Sequence, residues 1–136
     1  KWQLGKRTRL VYGFSHTRVA SPNEDGQQYT NSAPTNSQSL MMTHRFNDKW
    51  SGSLMGYQVG EVHMLGADSG TSTNKQYFVD TYRRWDGRVA YRFKAGAGSG
   101  ELALIVQNMA DSNYFEYRHD NQPQGRTAWL NLKLDL

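Results

Sequence analysis

The side chains that could do chemistry in this chain do not converge. Four histidines, His16, His44, His63 and His119, lack the i, i+4 or clustered spacing that metal ligation needs. Glu24 and Asp25 beside Gly26 could touch a cation, but the alternating ligands of a calcium loop are missing, so a plain turn is predicted. "AGAGSG" (95–100) is glycine-rich like a phosphate loop. Such a loop needs a strand before it and a helix N-terminus after it, and here a strand follows, which predicts a hairpin turn. There is no cysteine, hence no thiol nucleophile, thiolate metal site or disulfide. Serines and histidines occur without a G-x-S-x-G elbow, and no two carboxylates are brought together as acid and base. The reading is therefore no catalytic residue, no cofactor, no metal site and no enzyme. Ligand-binding residues are not assignable at this stage.

Composition narrows the classes left. The formal net charge is +4, which permits anionic partners, but both signs are interspersed and no Lys/Arg run exceeds two. A dedicated nucleic-acid surface is not expected. At 136 residues the chain is one domain or less. No window approaches the ~18 consecutive apolar residues of a membrane helix, although a barrel strand needs only ~9–11. Four Trp, eight Tyr and five Phe are many for so polar a chain, and both strands and interfacial belts favour them. "KWQLGKRTRL" at the start has no apolar stretch of a signal peptide; either that segment has been removed or the chain is a piece of something longer.

Period-2 alternation dominates, and helical periodicity is nearly absent. Seven strands are predicted. The first runs over about 6–19, with Leu10, Tyr12 and Phe14 on one face and Arg7, Arg9 and Ser15 on the other. After a turn-rich stretch, a second over 37–46 sets Leu40, Met42 and Phe46 opposite Ser39, Thr43 and Arg45. Asn47-Asp48-Lys49 is a tight hairpin signal. The third, 50–63, is ambiguous: Met55, Tyr57 and Val59 suit one face, Trp50 and Leu54 the other, and Gly52, Gly56 and Gly60 weaken it or mark a bulge. A loop, "GADSGTSTNKQ", leads to the clearest strand, 77–93.

In that strand the even positions from Asp80 through Tyr82, Arg84, Asp86 and Arg88 to Arg92 are mostly charged, and the odd ones end in aromatic and apolar residues. The alternation of Asp80, Arg84, Asp86 and Arg88 is read as ion pairing along a wet wall. Two arms of a hairpin then follow, 101–107 with Leu102, Leu104 and Val106 on one face, and 114–118 with Phe115 and Tyr117. The last strand sets Ala128, Leu130, Leu132, Leu134 and Leu136 opposite Trp129, Asn131, Lys133 and Asp135. Seventeen residues span ~55 Å, against ~17–20 Å for an ordinary globular strand. A strand that long with a charged face suits a large barrel with a wet interior better than a sandwich core. Tyr77, Trp85, Tyr91, Phe93 and Trp50, near strand ends, read as interfacial belt residues, whereas Trp129 falls opposite the leucines.

Three local features carry a resemblance: an apolar strand ending in Asn, a short turn closing on Asp and an aromatic opening the next segment (Gln107-Asn108-Met109-Ala110-Asp111, then Tyr114); a Gly125-Arg126 pair before the last strand; and the apolar alternation of that strand. Their order resembles the last strands of TonB-dependent outer-membrane receptors. Upstream, "SAPTNSQSLMMTHRFNDKWSGSLMGYQVGEV" is similar to that family's segment where a proline-containing turn opens a strand pair. The resemblance covers roughly 30–136. It implies an all-β chain, the C-terminal segment, about seven strands, of an antiparallel transmembrane β-barrel whose ~22 strands enclose a plug. Residues 1–136 would form one part of the barrel domain, without the plug and without the segment that meets TonB. Family members usually finish on Phe, where this sequence has Leu136.

By the resemblance the protein is an outer-membrane receptor segment for TonB-dependent uptake of a scarce ligand such as a metal chelate. It implies a bacterial outer-membrane location, with outer-membrane lipid, lipopolysaccharide, the rest of the barrel and plug, and indirectly TonB as partners. Asn108 to Asn113 would be a periplasmic turn, and "KAGAGSG" and "DNQPQGR" would face outside. Leu102, Leu104, Val106, Phe115, Tyr117, Leu130, Leu132 and Leu134 would meet lipid. Arg84, Asp86, Arg88, Arg92, Glu116, Arg118, Lys133 and Asp135 would face the lumen. The other readings are a soluble β-sandwich that binds carbohydrate through aromatics, or an outer-membrane polysaccharide or protein export pore.

Overall fold

The computed structural model describes residues 1–19, 32–68, 71–116 and 123–135, with the backbone alone for 64–68 and 71–77. Every regular element among them is a strand. Seven form one antiparallel sheet, in the order β1 (Trp2–Leu4), β2 (Thr8–His16), β3 (Asn36–Arg45), β4 (Trp50–Val59), β7 (Tyr82–Ala95), β8 (Gly98–Gln107) and β9 (Thr127–Asp135). The remaining two, β5 (Val62–Asp68) and β6 (Thr71–Val79), pair with each other. The sheet is open, with β1 and β9 at its edges.

β5 and β6 continue the β4–β7 hairpin without a change of register: Val59 pairs with Tyr82, and Val62 pairs with Val79. Each long arm predicted from alternation is thus one line interrupted once, at Gly60-Glu61 and at Asp80-Thr81. Pairing slips only near the tip, between Ala67 and Asp68. The "GADSGTSTNKQ" stretch, expected to be a loop, is largely drawn into these two strands. Asp80 consequently lies between strands and takes no part in the row of charges.

The hairpin predicted from 101–107 and 114–118 is not formed. β8 pairs instead with β9, from Ser99↔Asp135 to Gln107↔Thr127, and Tyr114 makes only an isolated bridge to Gln124. Two backbone positions explain it. Asn108 and Asp111 take φ of 50° and 53°, which turn the chain away from the strand line, and a short second arm cannot compete with a nine-residue partner. Phe115 and Glu116 therefore sit in a connection rather than on strand faces. Sidedness changes as well: Asn108–Asn113 and "DNQPQGR" belong to the same connection, at the opposite end of the sheet from "KAGAGSG", which is the tight Gly96-Ala97 turn.

The two ends of the sheet differ. At one end the strands are joined by residues 5–7, 46–49 and 96–97, all short. At the other, 17–35, the β5–β6 extension and 108–126 are long. Asn47 makes the 46–49 turn, its Oδ1 accepting from the backbone N–H of Lys49 (2.9 Å) and Trp50 (2.8 Å).

No conventional core is present among the described residues. The buried hydrophobics are few: Val62, Val79, Ala90, Ala103 and Tyr114.

Candidate functional site

Cross-strand register sorts the side chains into two faces, because directly opposed residues of antiparallel strands share a face. One face carries Leu10, Met42, Leu54, Gly87, Val106 and Ala128 along one row, and Val89, Leu104 and Leu130 along the next. Most of its large members are more than a third exposed, with Leu130 at 70% and Phe14 at 59%. This resolves the ambiguity of β4. Trp50 and Leu54 belong to this apolar face, and Met55, Tyr57 and Val59 to the other.

Aromatic rings border the apolar face at two heights. Tyr12, Phe14 and Trp85 lie toward the long connections; Phe46, Trp50, Tyr91 and Phe93 lie toward the short turns. Two glycines exist to admit rings: a Cβ on Gly56 would stand 2.6 Å from Trp85, and one on Gly100 would strike Phe93. Each pair is opposed in register, a large ring covering a bare backbone. From Arg83 to Phe93 the strand rises ~33 Å. At the upper border Arg83 Nε donates to Gln58 Oε1 (3.1 Å) and Tyr12 Oη to Gln38 Oε1 (3.1 Å), so polar tips take over where the apolar band stops.

The opposite face is polar, and it is tied together. Arg84 reaches Asp86 with Nε (2.9 Å) and Nη2 (2.7 Å) and lies 5.2 Å over the Tyr57 ring. Its Nη1 also meets Glu116 Oε1 at 3.2 Å. Glu101 accepts from Arg88 Nη2 and, with its second oxygen, from Arg92 Nε (3.1 Å). Lys133 pairs with Asp135 on β9. Of the expected row, Arg84 and Asp86 pair along the strand, while Arg88 finds Glu101 across the β7–β8 register; such pairs are worth little singly and more as a network.

The 108–126 connection is anchored to this face by the motif that the resemblance singled out. Asn108 is 1% exposed. Its Nδ2 donates to Ser112 O (2.8 Å) and Gln124 O (3.1 Å), its Oδ1 accepts from Ser112 N, and its own N–H donates to Asp86 Oδ1 (3.0 Å). Asp111 accepts from the backbone N–H of Arg126 (3.0 Å) and pairs with its guanidinium. Tyr114 stacks on Tyr82 at 4.5 Å and donates to Glu116 Oε1 (3.2 Å). Burial pushes the Tyr114 phenol above its ordinary range, so it stays a proton donor.

Six of the eight expected lipid-facing residues, Leu102, Leu104, Val106, Leu130, Leu132 and Leu134, share the apolar face. Phe115 does not, since it lies in the connection, and Tyr117 falls outside the described residues. Arg84, Asp86, Arg88, Arg92, Lys133 and Asp135 share the polar face. Glu116 reaches it from the connection, and Arg118 falls outside the described residues. Trp129 sits on the polar face opposite Ile105, as its parity requires. His16, His44 and His63 lie on separate strands, bound to Asn36, bound to Thr8, and packed edge-on against Phe78. Glu24, Asp25, Gly26, His119 and Leu136 lie outside the described residues, as does the Tyr77 side chain.

Sequence reading missed Glu101 as the shared partner of Arg88 and Arg92. Parity relates 88 and 92, but only the β7–β8 register brings 101 opposite 92. It also missed the role of Tyr114 in the network. Comparison of the chain with protein-family models, with curated proteins and with solved structures found no match.

Proposed function

We propose that the chain forms part of the wall of an outer-membrane β-barrel, and that this barrel is a TonB-dependent receptor importing a scarce ligand such as a metal chelate. The observation that carries the first part is the inversion of the sheet. Its apolar face is broad, continuous and exposed, while the polar face is the one knitted by side-chain bonds. Exposed apolar patches of this breadth mark an interaction surface. Aromatic bands at two heights, and short connections at one end against long ones at the other, fit an outer-membrane barrel whose long loops face outward.

On this reading the long connections carry ligand contacts, and the polar face lines a wet interior beside the rest of the barrel and its plug. The wall is the rigid element, and transport motion belongs to the plug. The receptor assignment within the barrel class rests on the Asn108–Asp111, Tyr114 and Gly125-Arg126 motifs. Among them Asn108, Asp111 with Arg126, and Tyr114 hold one long connection against the polar face.

Solubility tests the membrane reading. The chain is expected to need detergent or lipid to stay dispersed and to acquire strand signal by circular dichroism on transfer into micelles. A monomer in plain buffer that unfolds cooperatively would overturn it and favour the carbohydrate-binding sandwich. For the receptor assignment, disrupting the gene should abolish energy-dependent uptake of one chelate; unchanged uptake together with loss of an exported polymer would point to the export pore.

A further inference from the structure

Five cations meet at the short-turn end of the polar face, and the backbone puts them there. Arg45 N donates to Arg7 O (2.9 Å), and Arg92 N donates to Lys49 O (2.8 Å), which seats two like-charged pairs on neighbouring strands. Like charges held side by side are unfavourable without a counter-ion. The supply of carboxylates does not match. Glu101 is shared between Arg88 and Arg92, and among the described residues no carboxylate stands within ion-pair distance of Arg7, Arg45 or Lys49. Arg7 spends one N–H on Phe46 O (3.2 Å), which leaves most of its five donors for another acceptor.

These side chains line a single cleft of about 330 Å³, together with the hydroxyl-bearing Thr43, Ser51 and Ser53 and one carboxylate, Asp48, against the five cations. Guanidinium forks, an ammonium and hydroxyls around one space are the donor set that takes phosphate or carboxylate oxygens bidentately. The volume lies at the small end of small-molecule sites. It is closed below by the 46–49 turn, which suits a compact anion better than an extended acidic peptide.

We propose that this cleft is a binding site for a small polyanion bearing phosphate or several carboxylates. The assignment rests on the cations and hydroxyls of the cleft, and it holds whatever medium covers the apolar face.

Calorimetric titration of the full chain, folded in zwitterionic detergent micelles at low ionic strength, tests it. Pyrophosphate, citrate and an oligoglutamate peptide are the probes. Saturable one-to-one binding of pyrophosphate or citrate is expected. It should weaken about tenfold or more in Arg45→Gln and in Lys49→Gln, each of which removes a charge-assisted donor. Lys94→Gln removes the same charge from the same face outside the cleft, and it should leave binding unchanged. Lys49 lies in an exposed turn, so its variant keeps the test open should Arg45→Gln fail to fold.

Absence of saturable binding by both small anions overturns the site. So does an equal loss in Lys94→Gln, which would mean a diffuse field, and so does binding of oligoglutamate alone. Because micelles cover the apolar face in every arm, none of these outcomes bears on the membrane reading.

Discussion

Trp129 and Leu130 are consecutive residues in β9, yet they belong to two different surfaces. Trp129 shares its face with Asn131, Lys133 and Asp135; Leu130 shares its face with Leu132, Leu134, Leu104 and Val89. In a soluble sandwich the aliphatic row would be packed and the charged row wet. Here the aliphatic row is open and the polar row holds its own bonds, with Ala90 and Ala103 the most buried hydrophobics on that side. The contrast teaches that the two faces are matched to different media. Away from the short-turn end the polar face holds its own ion pairs, whereas the apolar face has nothing packed on it.

The largest effect should come from reversing one face. Leu104→Arg, in the middle of the apolar band, is expected to lower the stability of the folded chain in lipid vesicles by about 2–4 kcal/mol, whereas Asn131→Arg on the polar face should change it by less than about 0.5 kcal/mol. Urea unfolding in vesicles reads both. Equal effects would break the distinction between the faces.

Next is the anchor of the 108–126 connection. Asn108→Ala removes the side-chain bonds to Ser112 and Gln124 and puts a Cβ-bearing residue without local hydrogen bonding at φ 50°, for about 1–3 kcal/mol. Asn108→Gly keeps the conformation and loses only the bonds, so it should fall between. Amide exchange in the connection should rise well before exchange in β7 and β8 does.

Much of this architecture was legible in alternation. Parity alone placed Leu10, Tyr12 and Phe14, the β7 charges and the β9 leucines on their faces, because a strand's period is two and cannot drift. Pairing was less legible. Residues 114–118 alternate like a strand, but the left-handed turns at Asn108 and Asp111 divert the chain, and side-chain bonds of Asn108 close a loop there. The cluster of Arg7, Arg45, Lys49 and Arg92 was invisible for the same reason: it is made by register between distant segments.

A smaller effect sharpens the polar side. Glu101→Gln leaves Arg88 and Arg92 without their shared anion, and since these groups are partly exposed the cost should be about 1 kcal/mol or less and should shrink further in high salt. A cost insensitive to salt would mean that the face is drier than its charges suggest.

The smallest effect is alkaline. Burial raises the Tyr114 phenol, so the folded form holds that proton more tightly than the unfolded chain does. Its contribution is complete below the ordinary phenol range near ~10 and is lost as pH rises through the raised value. Protection factors of amides in the connection, which divide out the intrinsic rise of exchange with pH, should therefore hold up to the ordinary phenol range near ~10 and fall above it.

The absence of cysteine makes the two faces directly readable, since any single cysteine introduced is the sole labelling site. Spin labels placed one at a time along 129–134 of the full chain in lipid vesicles report collisions with oxygen, which concentrates in lipid, and with a water-soluble nickel complex. Labels at 130, 132 and 134 should favour oxygen and those at 129, 131 and 133 the nickel complex, alternating at every residue. Uniform access to the nickel complex along the whole strand would contradict a lipid-facing sheet.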